Sequence, residues 1–329
     1  MSDKPRVWIS RPTFPGVIAR LEPHFEVTAE PEEMAFSRSE LAARLAGQDA
    51  AIVGLKERIG AAEIAGAERL RIVANLSVGY DNLNLDALSA AGIAVSNTAD
   101  VLNESVADYA WALMLGAARR MSAAERWLRA GHWHATEFKA WLGTDVRGRT
   151  LGILGMGRIG QAIARRAVGF GMPVLYHNRS PLPEADERAC NARYVDKRQL
   201  LQESDFLMLV LPLTAQTRHA IGAPELALMK PTAILLNLAR GGIVDDAALA
   251  AALRERRLAG AGLDVFEGEP AVHPGLLALD NVVLSPHSAS ATTDTRRAMT
   301  SVAVDNVLAM FGHGPHAGRP PNLLNPNVL

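Results

Sequence analysis

The sequence predicts an α/β protein built from two doubly wound parallel-sheet domains, and three observations point to it. Short apolar runs recur along the chain with amphipathic segments between them, the pattern of a parallel sheet covered by helices on its faces. After a long apolar helix, the same alternation starts afresh at Thr150. The second series opens on a glycine-rich turn set between a strand and a helix.

In the first hundred residues the runs VWIS, FEVTA, AAIVG, LRIVANLS and GIAVSN read as strands, with SELAARLAG and LDALSAAG as helices between them. Asn103–Arg120 (NESVADYAWALMLGAARR) reads as one helix, capped by Asn103 and carrying Val106, Ala110, Leu113 and Ala117 at helical spacing. Its apolar residues run round most of the circumference, so it is expected to be buried. From Thr150 the runs TLGIL, PVLYHN, FLMLVLP, AILLNLA, AGLDV and NVVLSP form a six-strand, doubly wound pattern, with helices such as Asp245–Arg257 between them. A last helix, Thr295–Phe311, leads into a Pro/Asn-rich tail expected to be extended.

The 329 residues suffice for two domains with separate cores, and 49% hydrophobic with 21% charged residues describes a globular chain. A formal net charge of −1 argues against nucleic-acid and anionic-membrane partners. Cys190 is the one cysteine, so no intrachain disulfide can form, which suits a reducing compartment. The start, MSDKPRVWIS, lacks the basic stretch and apolar core of a secretory signal, and no uncharged apolar run approaches the ~18–20 residues that span a bilayer. The expected location is the cytoplasm.

Gly155, Gly157 and Gly160, with Met156, Arg158 and Ile159 between them, form a G-x-G-x-x-G turn. A strand precedes it, and Ile159, Ile163, Ala167 and Phe170 continue as one helical face. Such a turn lets backbone approach a dinucleotide pyrophosphate, which rests on the unpaired N–H groups of the helix. The following strand then usually ends in an acid that holds the ribose 2′-hydroxyl of NAD. Here Asn178, Arg179 and Ser180 stand in that place. An acid would repel a 2′-phosphate, whereas Arg179 can grip it and Asn178 and Ser180 can add donors, so NADP(H) is favoured with NAD(H) admitted. Arg240, Asp264 and His287 stand directly after predicted strands, where open α/β sheets bind their ligands.

GMGRIG, NLARGGIVDDAALAAAL, AGLDVFEGEP and NVVLSPH resemble the D-isomer-specific 2-hydroxyacid dehydrogenases nearly end to end. Within that family SVGYDNLNLDAL (Ser77–Leu88), GTDVRGRTLGILGMGRIG (Gly143–Gly160) and LLQESDF (Leu200–Phe206) are most similar to the bacterial glyoxylate/hydroxypyruvate reductases of the B type, also described as 2-ketogluconate reductases. The resemblance implies NADPH-dependent reduction of a small 2-keto acid (glyoxylate, hydroxypyruvate or 2-ketogluconate) to a D-2-hydroxy acid. It implies that Arg240 pairs with the substrate carboxylate and 2-oxygen, and that backbone N–H groups of Ser77, Val78 and Gly79 complete the cradle. His287 would give a proton to the keto oxygen, with Glu269 orienting the ring and favouring its charged form. Asp264 is expected near the nicotinamide or the histidine network, and Leu211, Pro212, Leu238 and Ala239 along the cofactor cleft.

The family fold implies a discontinuous flavodoxin-like substrate-binding domain, residues 1–101 and 291–329, with a Rossmann NAD(P)-binding domain inserted at 102–290. Arg119–Val146, poorly periodic and carrying Trp127, Trp133 and Trp141, resembles the family's dimerisation arm; it implies a homodimer with Trp141 reaching the partner's active site. Two stretches depart from the family pattern. SASAT follows His287 where many relatives carry IGSAT or IGGAT, so a polar Ser288 is expected to alter the pocket rim or the nicotinamide environment; NTA (Asn97–Ala99) replaces NTP. His132-x-His134 lacks further ligands at suitable spacing, so no metal is expected. The alternative from another class is a nucleotide-sensing binding protein of the corepressor type, built on the same fold.

Overall fold

The computed structural model describes residues 4–136 and 138–329, and the chain divides into two units, Met1–Leu102 with Ala291–Leu329, and Asn103–Ser290. In the first, the five apolar runs become β1 (Arg6–Ile9), β2 (Glu26–Ala29), β3 (Ala50–Val53), β4 (Ile72–Asn75) and β5 (Ala94–Ser96). All pair in parallel, in the order β2-β1-β3-β4-β5, one of the two common doubly wound orders. Successive residues of a strand point to opposite faces. Val7 and Ile9 therefore pack with Ile52, Ile72, Val304 and Val307 on one face, the last two from the Thr293–Met310 helix. Trp8 packs with Val73, Leu41, Leu45 and Leu88 on the other. Strands covered on both sides need apolar residues in succession, which is why β3 and β4 read as runs rather than alternations.

The second unit holds β6 (Leu151–Leu154), β7 (Val174–His177), β8 (Ala192–Tyr194), β9 (Phe206–Leu209), β10 (Ile234–Asn237), β11 (Gly260–Leu263) and β12 (Val282–Leu284). They too are parallel, in the order β12-β11-β10-β9-β6-β7-β8. The sequence predicts six strands here and the structure has seven. The added β8 is a three-residue edge strand with no buried position, so no apolar run marks it. From β6 the chain winds outward through β7 and β8 on one side, then returns to β9 and winds through β12 on the other. The switch point thus lies at the carboxyl ends of β6 and β9, the place such sheets offer to ligands.

The long helix of this unit spans Asn103–Ala118. Trp111 donates from its indole to Ile163 O at 3.1 Å and stacks on Phe170 at 4.5 Å. The helix stops short of its expected end because Arg120 takes a left-handed backbone, φ 52°, which turns the chain into a second helix, Met121–Arg129. That helix lies where the sequence shows little periodicity, because it buries only Ala123 and apolar spacing reports only faces that are buried. Among the described residues no helix is long and apolar enough to cross a membrane.

Candidate active site

The glycine loop follows β6. Gly155 has φ 103°, and a Cβ there would lie 2.5 Å from Val210 O, so no other residue fits. A Cβ at Gly160 would lie 2.4 Å from Gly155 O, so its absence lets the Arg158–Ala167 helix close on the loop. At Gly157 a Cβ would meet nothing within 4 Å. Open space over bare backbone at a helix N-terminus is what a pyrophosphate requires, so these residues fit a dinucleotide. Leu211 and Pro212 follow β9, where Leu211 packs against Gly155; Leu238 and Ala239 follow β10 and are buried.

Asn178 follows β7 and uses its side-chain oxygen on the loop itself, accepting from Met156 N–H at 2.6 Å. Its amide nitrogen remains as the donor. Arg179 and Ser180, just beyond, are exposed. Two tyrosines brace this stretch. Tyr176 Oη accepts from Leu182 N–H at 2.6 Å and donates to Glu187 at 2.7 Å, and Tyr194 Oη donates to Asn178 O at 3.3 Å. Burial and the Glu187 carboxylate push the Tyr176 hydroxyl up to about 12, so it remains a donor.

The Arg240 turn is built from the end of β10. Asn237 accepts from Ala239 N–H and donates to Arg240 O, both at 3.1 Å. A Cβ at Gly241 would lie 1.7 Å from Phe266 O, so only glycine lets this turn press against the segment that carries Glu269. Glu269 Oε1 accepts from Phe266 N–H at 2.9 Å, and Oε2 lies 2.8 Å from His287 Nδ1. Burial alone would raise the Glu269 carboxyl. The bond to His287, the charge on that ring, the Phe266 N–H and the Arg240 charge together hold it below the usual carboxylate range. An ionised carboxylate only accepts, so Nδ1 carries the proton. With the ring 30% exposed, Nε2 is the nitrogen left to meet a substrate.

His287 has φ 51°, a left-handed conformation that its surroundings must hold. Its N–H is shared between Asp264 O at 2.8 Å and Ser285 O at 3.1 Å. The Asp264 carboxylate is buried and accepts from Ser285 Oγ at 2.6 Å, Ser288 N at 2.8 Å and Ala289 N at 2.9 Å. Asp264 thus sits in the histidine network with its oxygens engaged by the His287 loop. Sequence reasoning missed Ser285 and Asn237; adjacency to the histidine and the arginine is the signal that could have found them.

In the first unit Ser77, Val78 and Gly79 follow β4. Their three carbonyls accept from Thr98 N at 3.1 Å, Asn97 Nδ2 at 2.9 Å and Asn75 Nδ2 at 2.9 Å. The N–H groups of Val78 and Gly79 donate to nothing among the described residues. In the second unit Trp127 meets Trp141 edge-on at 5.4 Å, and Arg120 lies over Trp141 at 5.1 Å. Met121, Leu128, Trp133, Phe138 and Leu142 are exposed around them, Phe138 at 93%. Among the described residues no three His, Cys, Asp or Glu side chains gather as a metal site.

Residues 111–289 match the family model for the D-isomer specific 2-hydroxyacid dehydrogenase, NAD binding domain. The chain is 48% identical over 331 residues to a glyoxylate reductase of Thermococcus onnurineus, covering 99% of this chain and 97% of that one. Among solved structures it resembles an NADPH-dependent glyoxylate/hydroxypyruvate reductase of Sinorhizobium meliloti, solved with NADP and malonate, at 37% identity and a TM-score of 0.87 over 98% of this chain and 97% of that one. A glyoxylate reductase of Paecilomyes thermophila matches at 33% identity and a TM-score of 0.88, over 99% of each chain.

Proposed function

Because the chain belongs to the D-isomer-specific 2-hydroxyacid dehydrogenase family and is an NAD(P)-dependent oxidoreductase, we propose that it reduces glyoxylate, hydroxypyruvate and 2-ketogluconate to D-2-hydroxy acids, with NADPH the preferred reductant. The observation that carries the reading is the 2.8 Å contact of Glu269 with His287 Nδ1, beside an arginine whose charge acts on the same carboxylate. When bound, the reduced nicotinamide supplies a hydride to the carbonyl carbon. Arg240 holds the substrate carboxylate and keto oxygen in its fork of donors. His287 Nε2–H gives its proton to the keto oxygen as negative charge develops there. Glu269 stays ionised throughout, stabilising the charged ring before transfer and keeping Nδ1–H in place afterwards.

Purified protein is expected to oxidise NADPH with glyoxylate or hydroxypyruvate at about 1–10³ per second. Nucleotide binding without turnover would favour the nucleotide-sensing reading instead. The preference for NADPH is assigned to Arg179 at the open end of β7. Arg179→Ala removes a charge-assisted bond worth roughly 1.5–3 kcal/mol, so kcat/KM for NADPH should fall roughly ten- to hundredfold while that for NADH holds. Equal losses with both cofactors would show that Arg179 does not read the 2′-phosphate.

The exposed apolar side chains between Met121 and Leu142 are the surface of a homodimer arm in this reading, with Trp141 presented to the partner's site and the enzyme working in the cytoplasm. Light scattering should return twice the 35.2 kDa of one chain; a monomer mass at assay concentration would refute the dimer.

A further inference from the structure

Ser288 and Tyr109 stand outside the chemistry assigned above, yet they meet directly behind the histidine. Ser288 Oγ lies 2.9 Å from Tyr109 Oη and 3.4 Å from Asp264 Oδ1. We propose that Tyr109 and Ser288 are positioning residues that tie the His287 loop to the Asn103–Ala118 helix and so set the imidazole for proton transfer.

The need for such a tie follows from the backbone. A left-handed histidine is held only by what surrounds it, and the bonds on its N–H and on the Asp264 carboxylate join just the loop and the end of β11. Two contacts reach a different element. Beside the Ser288–Tyr109 bond, Ser105 Oγ donates to Ala289 O at 3.3 Å. Ser105 and Tyr109 stand at i and i+4 and share one face of the helix, a helix anchored elsewhere by the buried Trp111. Both grip the two residues that follow His287. Ser288 Oγ donates to Tyr109 Oη, the nearer acceptor, with Asp264 Oδ1 a longer-range second acceptor for the same proton. Residue 288 thus joins the helix through its hydroxyl and Asp264 through its backbone N–H, and only a hydroxyl at position 288 can make the first of these links. An aliphatic residue there would leave Tyr109 Oη without this partner.

The proposal rests on His287 as the acid, and one set of assays separates the two. Ser288→Ala and Tyr109→Phe should each lower the single-turnover rate of NADPH oxidation about fivefold, the rate equivalent of one ordinary hydrogen bond. KM for glyoxylate and the Kd for NADPH, read by nicotinamide fluorescence, should hold. Ser288→Thr, which keeps the hydroxyl, should recover most of the rate. The double variant should be no slower than the slower single, because both remove the same link. Wild-type rates in both single variants, losses that multiply in the double, or a change confined to KM would each overturn it. His287→Asn run alongside identifies the source of failure. If it is inactive while the Ser288 and Tyr109 variants match wild type, the acid stands and the tie falls. If it turns over normally, both fall.

Discussion

His287→Asn is expected to lower kcat for keto-acid reduction about 10²–10⁴-fold, the usual contribution of a placed general acid. Hydride arrival leaves an alkoxide-like oxygen, and without Nε2–H the proton assigned to it is not delivered; Arg240, ionised throughout, stabilises the charge but gives up no proton. Asparagine is the informative substitute because residue 287 has φ 51°, and asparagine tolerates the left-handed region better than alanine. The loop bonds from Asp264 to residues 285, 288 and 289 are untouched by the change, so NADPH affinity should hold. Steady-state kinetics beside a fluorescence titration of NADPH check both halves; a kcat within tenfold of wild type would remove His287 from the acid role.

Arg240→Ala is expected to lower kcat/KM roughly 10²–10³-fold, the loss of two charge-assisted bonds of about 1.5–3 kcal/mol each less what relaxation recovers. Arg240→Lys returns the charge without the planar fork, so it should recover only a small part. The arginine also helps to hold the Glu269 carboxyl down. A depressed carboxyl contributes stability that is present above its unfolded value and lost as pH falls through its folded one. Arg240→Ala should therefore leave a smaller drop in stability on acidification than wild type shows, while Arg240→Lys should resemble wild type. Thermal melts across the acid range, set beside the kinetics, separate the charge from the fork.

Much of this was legible because burial on both faces writes itself into sequence. β3, β9 and β10 are apolar at nearly every position, and Gly155 and Gly160 mark places where any side chain would collide with backbone. Arg240, Asp264 and His287 stood out as polar groups at strand ends, while Glu269 came with the family resemblance. What stayed hidden has equally physical causes. β8 is an edge strand without a buried residue, and the Met121–Arg129 helix buries one alanine. Asn178 reads as a free donor in the sequence, while in the fold its oxygen is bound to Met156 N–H. The donors on Asp264 come largely from the backbone of residues 288 and 289, and backbone direction has no letter of its own.

The central claim is that the ionised Glu269 carboxylate holds Nδ1–H and orients His287 as the proton donor, and the rate and pH profile of Glu269→Gln test it most directly. Because the Glu269 carboxyl lies below the usual range, it is ionised at neutral pH and loses its charge only in acid. In the wild type, reduction should fall on the acid side as Glu269 takes up a proton and its charge is lost. Glutamine keeps an oxygen for Nδ1–H but withdraws the charge. Glu269→Gln should therefore reduce keto acids more slowly at neutral pH and lack the acid-side fall; a Glu269→Gln rate and profile that coincide with wild type would contradict the account.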